Sequence, residues 1–225
     1  MKKMKLYGSS RSPYVRKVLI AAHETGAIRD IVVEPMVVTA LAANPTMLSV
    51  NPLGQIPTLI LDDGQALFDS NVICRYLDLV PGKAQLHPRE VAAEIAMMRL
   101  LALGDGLIAA LMSLLSEKSR NQPDQSERRL AALKEKLPLI FAALEAEAPG
   151  MMHAPFDMAQ IAIASALSYI DFRLPADVVW RDAYPSLANW FAALSQRPSV
   201  VATAYFDELA AAAASSGKQE KAGKA

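Results

Sequence analysis

Three serines stand where a predicted strand passes into a predicted helix. The stretch YGSSRSPYVRKV, residues 7–18, carries Ser9, Ser10 and Ser12 between two apolar runs. Ser12 directly precedes Pro13, and a serine N-cap followed by proline at the first helical position is a common helix start. A hydroxyl at a helix N-terminus can also stabilise a bound thiolate. Ser12 is therefore a candidate both for a structural cap and for a sulfur-binding group.

The thiolate role is energetically reasonable. The reference pKa of a thiol is ~8.5, and lowering it by ~2 units requires ~2.7 kcal/mol of differential stabilisation. A hydrogen bond to a charged group contributes ~1.5–3 kcal/mol, and the helix dipole adds ~0.3–1 kcal/mol. A hydroxyl and a helix N-terminus are together sufficient, without a metal ion or a general base.

The second stretch is NPLGQIPTL, residues 51–59, in which Pro57 follows Ile56 at the entry to a predicted strand. A cis Ile56–Pro57 bond would turn the backbone N–H and C=O of Ile56 outward, where they could pair with an extended peptide. A trans proline at the start of an edge strand is the alternative, and the dipeptide alone favours it.

The third stretch, FDSNVI, places Asp69 and Ser70 at a predicted helix start. Their ordinary role is capping. A helix N-terminus also attracts a carboxylate, and Asp69 would accept hydrogen bonds from an ammonium group beside it. The pair could therefore hold the α-carboxylate and α-amine of one amino acid.

The elements around these stretches predict two structural units. Strand, helix, strand, short helix, strand, strand and helix come first, which predicts one parallel strand pair and an antiparallel hairpin through Asp62-Asp63-Gly64. Helical periodicity then continues almost to the end, with Gly104, Gly106 and Pro138 as possible bends. We predict an α/β domain over residues 1–80, a linker over 81–89, an all-α domain over 90–210 and a disordered tail over 211–225.

Composition excludes several classes of function. Lys+Arg and Asp+Glu both number 23, so no general nucleic-acid binding is expected. One cysteine, Cys74, excludes an internal disulfide, and three scattered histidines show no metal-ligand spacing. We find no secretory leader and no uninterrupted apolar run of the ~18–20 residues that a membrane span needs. These features predict a cytoplasmic protein without a membrane partner or a metal.

The quoted motifs, in this order, resemble those of the cytosolic glutathione transferases. The likeness runs from about residue 4 to residue 203 and includes PFDMAQIAIA and PSLANWFAALSQRPSV in the helical half. The first motif is most similar to the bacterial serine-type group and to the omega, tau and zeta classes. The resemblance implies a thioredoxin-like α/β N-terminal domain that holds glutathione, followed by an all-α domain.

The resemblance also implies a role for each site residue. Ser12 would face the glutathione sulfur, and the backbone of Ile56, before a cis Pro57, would pair with the cysteinyl unit. Asp69 and Ser70 would hold the γ-glutamyl end. Gln55 is the candidate for the glycine carboxylate, because residues 35–50 contain no lysine or histidine, where the family often has one.

Several assignments near the site stay open at this stage. Ser9, Ser10 or Tyr7 could contact the sulfur in place of Ser12, although Tyr7 belongs to the predicted strand. Arg11 and Arg16 could bind an anionic substrate, but solvated surface charge is the favoured interpretation for each.

Two further residues lie within the predicted helices. Cys74 is expected to be buried and unreactive. Asp105 could face the cleft between the domains, a second subunit, or a bend at the surface.

The function implied by the resemblance is that of a glutathione transferase. Glutathione would be the co-substrate, its thiolate would attack a small electrophile, and the protein would be a homodimer acting in detoxification. Isomerase, peroxidase and dehalogenase activities stay open. A non-catalytic binding module with the same fold is the alternative, and the presence of Pro57, Asp69 and Ser70 favours a real ligand site.

Overall fold

The structure is a computed structural model that describes residues 3–39, 42–79 and 85–207. Its N-terminal part is one four-stranded mixed sheet with helices packed on it, and its C-terminal part is helical, as the sequence predicts. The N-terminal elements are β1 (Met4–Gly8), α1 (Pro13–Thr25), a 3₁₀ turn (Ala27–Asp30), β2 (Ile31–Pro35), α2 (Pro45–Leu48), β3 (Thr58–Ile60), β4 (Ala66–Phe68) and α3 (Ser70–Leu79).

The sheet has the strand order β2-β1-β3-β4. β1 pairs with β2 in parallel, so that Leu6 lies beside Val33, and the other pairs are antiparallel. The predicted crossover and hairpin are therefore both confirmed. Leu6 and Leu59, which face each other across β1 and β3, are fully buried and form the sheet's contribution to the core.

Local signals set both ends of α1. The Ser12 side chain accepts a hydrogen bond from the Val15 N–H, and Pro13 occupies the first helical position. Gly26 ends the helix with φ +79°, a left-handed conformation that glycine adopts without steric cost. The helix thus delivers its N-terminus, with Ser12, to the end of β1.

Within the described residues, the helical part contains five helices. They are α4 (Val91–Lys118), α5 (Glu127–Met151), α6 (Met158–Arg173), α7 (Pro185–Leu194) and α8 (Pro198–Ala202). α5 continues through Pro138 and Pro149. Pro198 follows the end of α7 and is the first residue of α8. Proline suits this position, because the first turn of a helix does not need its missing N–H.

α6 is the central helix of this part, and most of its side chains are buried. Asp157 caps it by accepting a hydrogen bond of 3.0 Å from the Gln160 N–H. Asp157 and Gln160 have the sequence spacing of a capping box, in which the Gln160 side chain would bond back to the Asp157 N–H. The box is incomplete, because the Gln160 amide donates instead to the Pro155 carbonyl at 2.8 Å. Gln160 therefore fastens the preceding loop.

Gly104 has a packing role rather than that of a predicted bend. α4 runs unbroken through Gly104 and Gly106. A Cβ on Gly104 would lie 3.0 Å from both the Ala162 Cβ and the Ile163 backbone nitrogen of α6. The missing side chain lets α4 and α6 approach closely, whereas a Cβ on Gly106 would meet nothing within 4 Å.

The two parts share one of the two apolar clusters. Leu6, Val18 and Leu77 of the N-terminal part belong to the same cluster as Met97 and Ile161 of the helical part. Because this contact is apolar and buried, the two parts pack as one body. The second cluster lies wholly within the helical part apart from Tyr14, which packs against it from α1.

The predicted domain limits stay predictions. Residues 80–84 and 208–225 lie outside the described residues. The first four residues of the predicted linker, 81–84, and the predicted tail, 211–225, are therefore not described. Residues 85–89 form neither helix nor strand. The Asp78 carboxylate of α3 accepts hydrogen bonds from the backbone N–H groups of Leu86 and His87, which ties this segment to α3.

One helix among the described residues, α4, is long and apolar enough to cross a membrane by length and composition alone. The sequence pattern showed no uninterrupted apolar run of that length, since polar residues are spread along the helix. Leu107, Ile108 and Leu111 of α4 are fully buried in the core. Core helices commonly pass the same test, so the finding carries little weight.

Candidate functional site

A cleft of about 750 Å³ lies between the sheet and the helices α4 and α6. All six residues predicted for the site line it: Ser12, Gln55, Ile56, Pro57, Asp69 and Ser70. The opposite wall consists of side chains of the helical part, namely Met112, Leu115, Ser116, Ser119, Tyr169 and Arg173, and Arg11 lines the cleft beside Ser12. The sequence did not single out Tyr169 or Arg173. Residues about 160 positions apart in the sequence thus meet in one groove.

Ser12 is the best placed of the candidate sulfur-binding groups. Its Oγ accepts a hydrogen bond of 3.3 Å from the Val15 N–H and donates to no group in the described part of the chain. Ser9 also lines the cleft, and its Oγ accepts from the Arg11 N–H at 3.2 Å. Ser10 instead donates to the Phe206 carbonyl, and Tyr7 lies within β1; neither lines the cleft.

The loop before β3 presents Ile56 to the cleft. The Ile56–Pro57 bond is cis, so the expectation from the dipeptide alone was wrong and the expectation from the family resemblance is confirmed. The isomer of such a bond depends on tertiary surroundings, which a dipeptide does not contain. Within the described residues, the backbone N–H and C=O of Ile56 have no hydrogen-bond partner.

Asn51 holds this loop and was missed by the sequence analysis. It is fully buried, and its amide donates to the Gln55 carbonyl at 3.0 Å and to the Thr58 hydroxyl at 2.9 Å. Its Oδ1 accepts from the Leu53 N–H at 3.0 Å. Asparagine before Pro-Leu-Gly was the available signal, because asparagine side chains commonly bond their own turn.

Asp69 and Ser70 begin α3 at the cleft wall, as predicted. Asp69 Oδ1 accepts from the Asn71 N–H at 2.7 Å and from the Val72 N–H at 3.4 Å, which is the expected capping role. Asp69 Oδ2 accepts no hydrogen bond from the described residues. Asp69 has φ +71°, the only positive φ found for a non-glycine residue in the described chain. A conformation of this kind costs free energy and is often retained where it positions a functional group.

A polar cluster beneath α3 joins three helices. Lys17 of α1 is fully buried; its ammonium donates to the Asn71 side chain at 2.8 Å and to the Asp105 carboxylate of α4. Asp105 also accepts from the Asn71 amide at 2.9 Å. Asp105 does not line the cleft, which was one of the positions considered for it; it lies between α4 and the helices α1 and α3. Lys17 was missed, although a lysine within the buried face of α1 was a signal.

Tyr14 lines the cleft beside Ser12 and was interpreted from sequence only as part of an apolar helix face. Burial raises the pKa of its phenol, and the negative charges of Asp105 and Asp69 raise the pKa further. Tyr14 therefore stays protonated at neutral pH and can act only as a neutral hydrogen-bonding group.

The prediction that Arg16 is a solvated surface charge was wrong. Arg16 is 5% exposed, its Nη2 donates to the Val200 carbonyl at 3.0 Å, and its guanidinium lies 4.5 Å from the centroid of the Tyr205 ring. Arg11 is also largely covered, with its side chain 26% exposed. Helical periodicity did not reveal the burial of Arg16, because the residues that cover it, Val200 and Tyr205, are distant in sequence.

Cys74 is fully buried, and burial raises the pKa of its thiol to about 12. The prediction that this cysteine is buried is therefore confirmed. Among the residues that the structure describes, no three His, Cys, Asp or Glu side chains are grouped so as to hold a metal ion.

Two family models match the chain. Residues 11–80 match the glutathione S-transferase N-terminal domain, and residues 127–193 match the glutathione S-transferase C-terminal domain. These regions contain the candidate cleft residues of the sheet domain and the helices α5, α6 and most of α7. They cover more than half of the chain.

Individual proteins are similar over most of their length. The uncharacterized GST-like protein YibF of Escherichia coli is 32% identical over 76% of this chain and 83% of its own. Glutathione S-transferase 1 of Zea mays is 30% identical over 89% of this chain and 95% of its own.

Solved structures show the same fold. A glutathione transferase family member from Pseudomonas fluorescens Pf-5, crystallised with bound glutathione, is 38% identical, with a TM-score of 0.87 over 91% of this chain and 100% of its own. Another crystal of a family member from that strain contains S-(propanoic acid)-glutathione. With both family models matched and relatives aligned over most of its length, this chain belongs to the glutathione S-transferase family.

Proposed function

We propose that the protein is a glutathione transferase that binds glutathione in the cleft and stabilises its thiolate with Ser12. The observation that carries the proposal is the backbone of Ile56, which has no partner within the described residues and lies in one groove with Ser12 and with Asp69. An extended peptide bound there would pair with Ile56 through its main chain. Glutathione-bound relatives of the same fold support glutathione as that peptide.

Each end of the tripeptide has a proposed partner. The γ-glutamyl ammonium would donate to Asp69, whose Oδ2 accepts nothing from the described residues, and the α-carboxylate would accept from Ser70 at the N-terminus of α3. The glycine carboxylate would lie beside Gln55, which is exposed at the cleft. These contacts would orient the thiol toward Ser12.

The reaction would proceed through the thiolate. The thiol loses its proton to water, and the Ser12 hydroxyl donates to the sulfur anion. The sulfur then forms a bond to the electrophilic carbon while either the bond from that carbon to a leaving group breaks and the leaving group departs, or a π bond at that carbon breaks and the neighbouring atom takes a proton from water. Much of the rate enhancement would come from orientation, because the cleft holds sulfur and electrophile side by side. Isomerase, peroxidase and dehalogenase activities would use the same glutathione thiolate. Assays with a panel of substrates distinguish them from conjugation.

Replacement of Ser12 by alanine tests the thiolate role. We expect Ser12→Ala to lower the conjugation rate about a hundredfold at neutral pH, as for the loss of one hydrogen bond to a developing anion. The loss should shrink as the pH rises above ~8.5, where glutathione ionises without help.

Ser126→Ala is the matched control. Ser126 caps α5 by accepting from the Arg129 N–H and does not line the cleft, so the substitution removes a cap without touching the proposed sulfur site. Equal activity of Ser12→Ala and Ser126→Ala would refute the assignment and leave Ser9 as the next candidate.

A non-catalytic binding module with this fold would behave differently. Such a protein would either fail to bind immobilised glutathione or bind it without turnover of any electrophile. Retention on the immobilised ligand, elution by free glutathione and turnover together support the enzyme.

We propose that the protein is a homodimer in the cytoplasm. Five apolar side chains on α3 and the first turns of α4 are exposed in the single chain: Val72, Leu79, Val91, Ile95 and Met98. Exposed apolar side chains in such number on adjoining elements are typical of an interface. Light scattering should give twice the 24.3 kDa chain mass, and Ile95→Glu should shift it toward one chain.

A further inference from the structure

One end of the cleft is positively charged. Arg11, from the turn before α1, and Arg173, from the last turn of α6, both line it. One other charged residue among those described lines the cleft, namely Asp69, which caps α3. The cleft therefore has a carboxylate on the α3 side and two guanidinium groups on the α6 side.

The two guanidinium groups are only partly compensated. Arg11 Nε lies 3.6 Å from one oxygen of Asp207, and Arg173 Nη1 lies 3.8 Å from the other. Both distances exceed the ~2.7–3.2 Å of a hydrogen bond. Arg11 Nε is buried and has no hydrogen-bond partner among the described residues. Among the described residues, one carboxylate shared by two guanidinium groups leaves a net positive charge and an unused buried donor.

The charges that act on the two tyrosines in the cleft, Tyr169 and Tyr14, differ in sign in the same way. Burial raises the pKa of Tyr169, and the charges of Arg173 and Arg11 act to lower it. Burial also raises the pKa of Tyr14, but there the charges of Asp105 and Asp69 raise it further. Tyr169 thus lies in the field of the two arginines, and Tyr14 lies in the field of the carboxylates.

Apolar and aromatic side chains line the cleft beside the two arginines. Met112 and Leu115 of α4 line the same wall, and Tyr169 is 3% exposed. Arg11 is the residue directly before Ser12, so an anion held by Arg11 would lie next to the proposed sulfur site. The space suits a short molecule whose reactive carbon is close to its negative group.

We propose that the preferred electrophile carries a carboxylate, which Arg11 and Arg173 bind while its reactive carbon faces the sulfur at Ser12. This inference rests on the proposed transferase function. It identifies α,β-unsaturated and α-halo carboxylates as the substrate class. Solvated arginines would give no such preference, and the burial of Arg11 Nε is what distinguishes the two cases.

Both reactions balance without another reagent. With acrylate, the sulfur bonds to the β-carbon, the C=C π bond breaks and the α-carbon takes a proton from water. With iodoacetate, the sulfur bonds to the methylene carbon, the C–I bond breaks and iodide leaves. The carboxylate is unchanged in each reaction, so it serves only for binding.

Matched acid and amide pairs test the proposal. Acrylate is compared with acrylamide and iodoacetate with iodoacetamide, which differ in charge but little in size. For each compound kcat/KM is divided by the uncatalysed rate constant with glutathione. Cys74 does not interfere with the iodo compounds, because it is fully buried with a pKa of about 12.

We expect the wild-type protein to favour the acid of each pair after this correction. Arg11→Gln and Arg173→Gln should each lower the acid-to-amide ratio about 10- to 100-fold, as expected for the loss of a charge-assisted hydrogen bond. Arg181→Gln is the control, since Arg181 pairs with Asp171 at the surface and does not line the cleft. It should leave the ratio unchanged.

Three outcomes would overturn the inference while the transferase function stands. The first is turnover of the amides by the wild-type protein with no preference for the acids. The second is an equal loss of kcat/KM for acids and amides in the arginine variants. The third is a raised KM for glutathione in those variants with both substrate types. The last outcome would assign the arginines to glutathione instead. Absence of glutathione binding by the wild-type protein would overturn the proposed function itself.

Discussion

At the scale of single residues, Ser12 and Asp69 each combine a structural and a proposed chemical role. A serine hydroxyl accepts through its lone pairs and donates through its hydrogen, so Ser12 can cap α1 and serve a sulfur at the same time. Asp69 caps α3 with one carboxylate oxygen and keeps the other for a ligand. For both residues, the cap fixes the position from which the side chain would act.

Asp69→Asn separates the charge of Asp69 from its cap. Asparagine tolerates φ +71° about as well as aspartate, and its side-chain oxygen can still accept from the Asn71 N–H. We expect KM for glutathione to rise about tenfold or more, because the ligand's ammonium loses its charged partner. The free energy of unfolding should change by less than about 0.5 kcal/mol.

Steady-state kinetics and urea unfolding measure the two effects of this substitution. An unchanged KM for glutathione would show that Asp69 is a cap alone. A large loss of stability would show instead that its charge is needed at the N-terminus of α3.

At the scale of the elements, the contact between α4 and α6 sets the far wall of the cleft. α4 supplies Met112 and Leu115, and α6 supplies Tyr169 and Arg173. Their spacing depends on the close approach at Gly104. Lys17, Asn71 and Asp105 then fasten α1 and α3 to α4, so the elements on both sides of the cleft are held by buried contacts.

Two glycine substitutions in α4 should have opposite effects on stability. Gly104→Ala places a methyl group 3.0 Å from the Ile163 backbone nitrogen, which cannot move without moving α6. We expect a loss of about 1–2 kcal/mol in the free energy of unfolding, since overpacking exceeds the gain in helix propensity. Gly106→Ala, at an exposed position with open space, should gain about 0.5–1 kcal/mol.

Urea unfolding of both variants measures this difference. Equal stabilisation by the two substitutions would mean that α4 and α6 separate easily. The cleft wall would then be less rigid than the packing at Gly104 indicates.

At the scale of the whole molecule, α8, the last helix of the described chain, packs on α1. Glu24 of α1 forms a two-pronged ion pair with Arg197, next to α8, with N–O distances of 2.8 and 2.6 Å. Arg16 of α1 donates to Val200 of α8. Together with the shared apolar cluster, these contacts make cooperative unfolding of the two parts the expected behaviour.

The Glu24–Arg197 pair gives the whole molecule a pH dependence. Burial alone would raise the pKa of Glu24, but hydrogen bonds from Arg197 and Ser199 hold it below the ordinary value of 4.5. A lowered pKa in the folded state stabilises the protein above the unfolded value, and this stabilisation is lost as the pH falls through the folded value.

Glu24→Gln should therefore lower the free energy of unfolding by about 1–2 kcal/mol at pH 7, since Arg197 is partly exposed and the pair is partly screened. The difference from wild type should shrink as the pH falls below 4.5. Glu135→Gln, on the exposed face of α5, is the control and should show neither effect. A difference that is constant from pH 7 to pH 3 would contradict the role of the charge.

The sequence by itself determined the features that depend on neighbouring residues. The caps at Ser12, Asp69 and Asp157, the end of α1 at Gly26 and the order of strands and helices all follow from local hydrogen bonding and backbone preference. Ser12, Asp69 and Ser70 were candidates from the residues alone, since each stands at a helix start, whereas the roles of Gln55 and of Ile56 before a cis proline came from the family resemblance.

Only the tertiary structure decided which residues share an environment. The cis bond before Pro57, the burial of Arg11 Nε and of Arg16, the place of Lys17 beside Asp105 and the closeness permitted by Gly104 all depend on segments distant in sequence. Charge and burial at a site are sums over everything packed around it. A pattern along one helix contains only its own contribution to that sum, and for this reason the charged wall of the cleft could not be seen before the chain was folded.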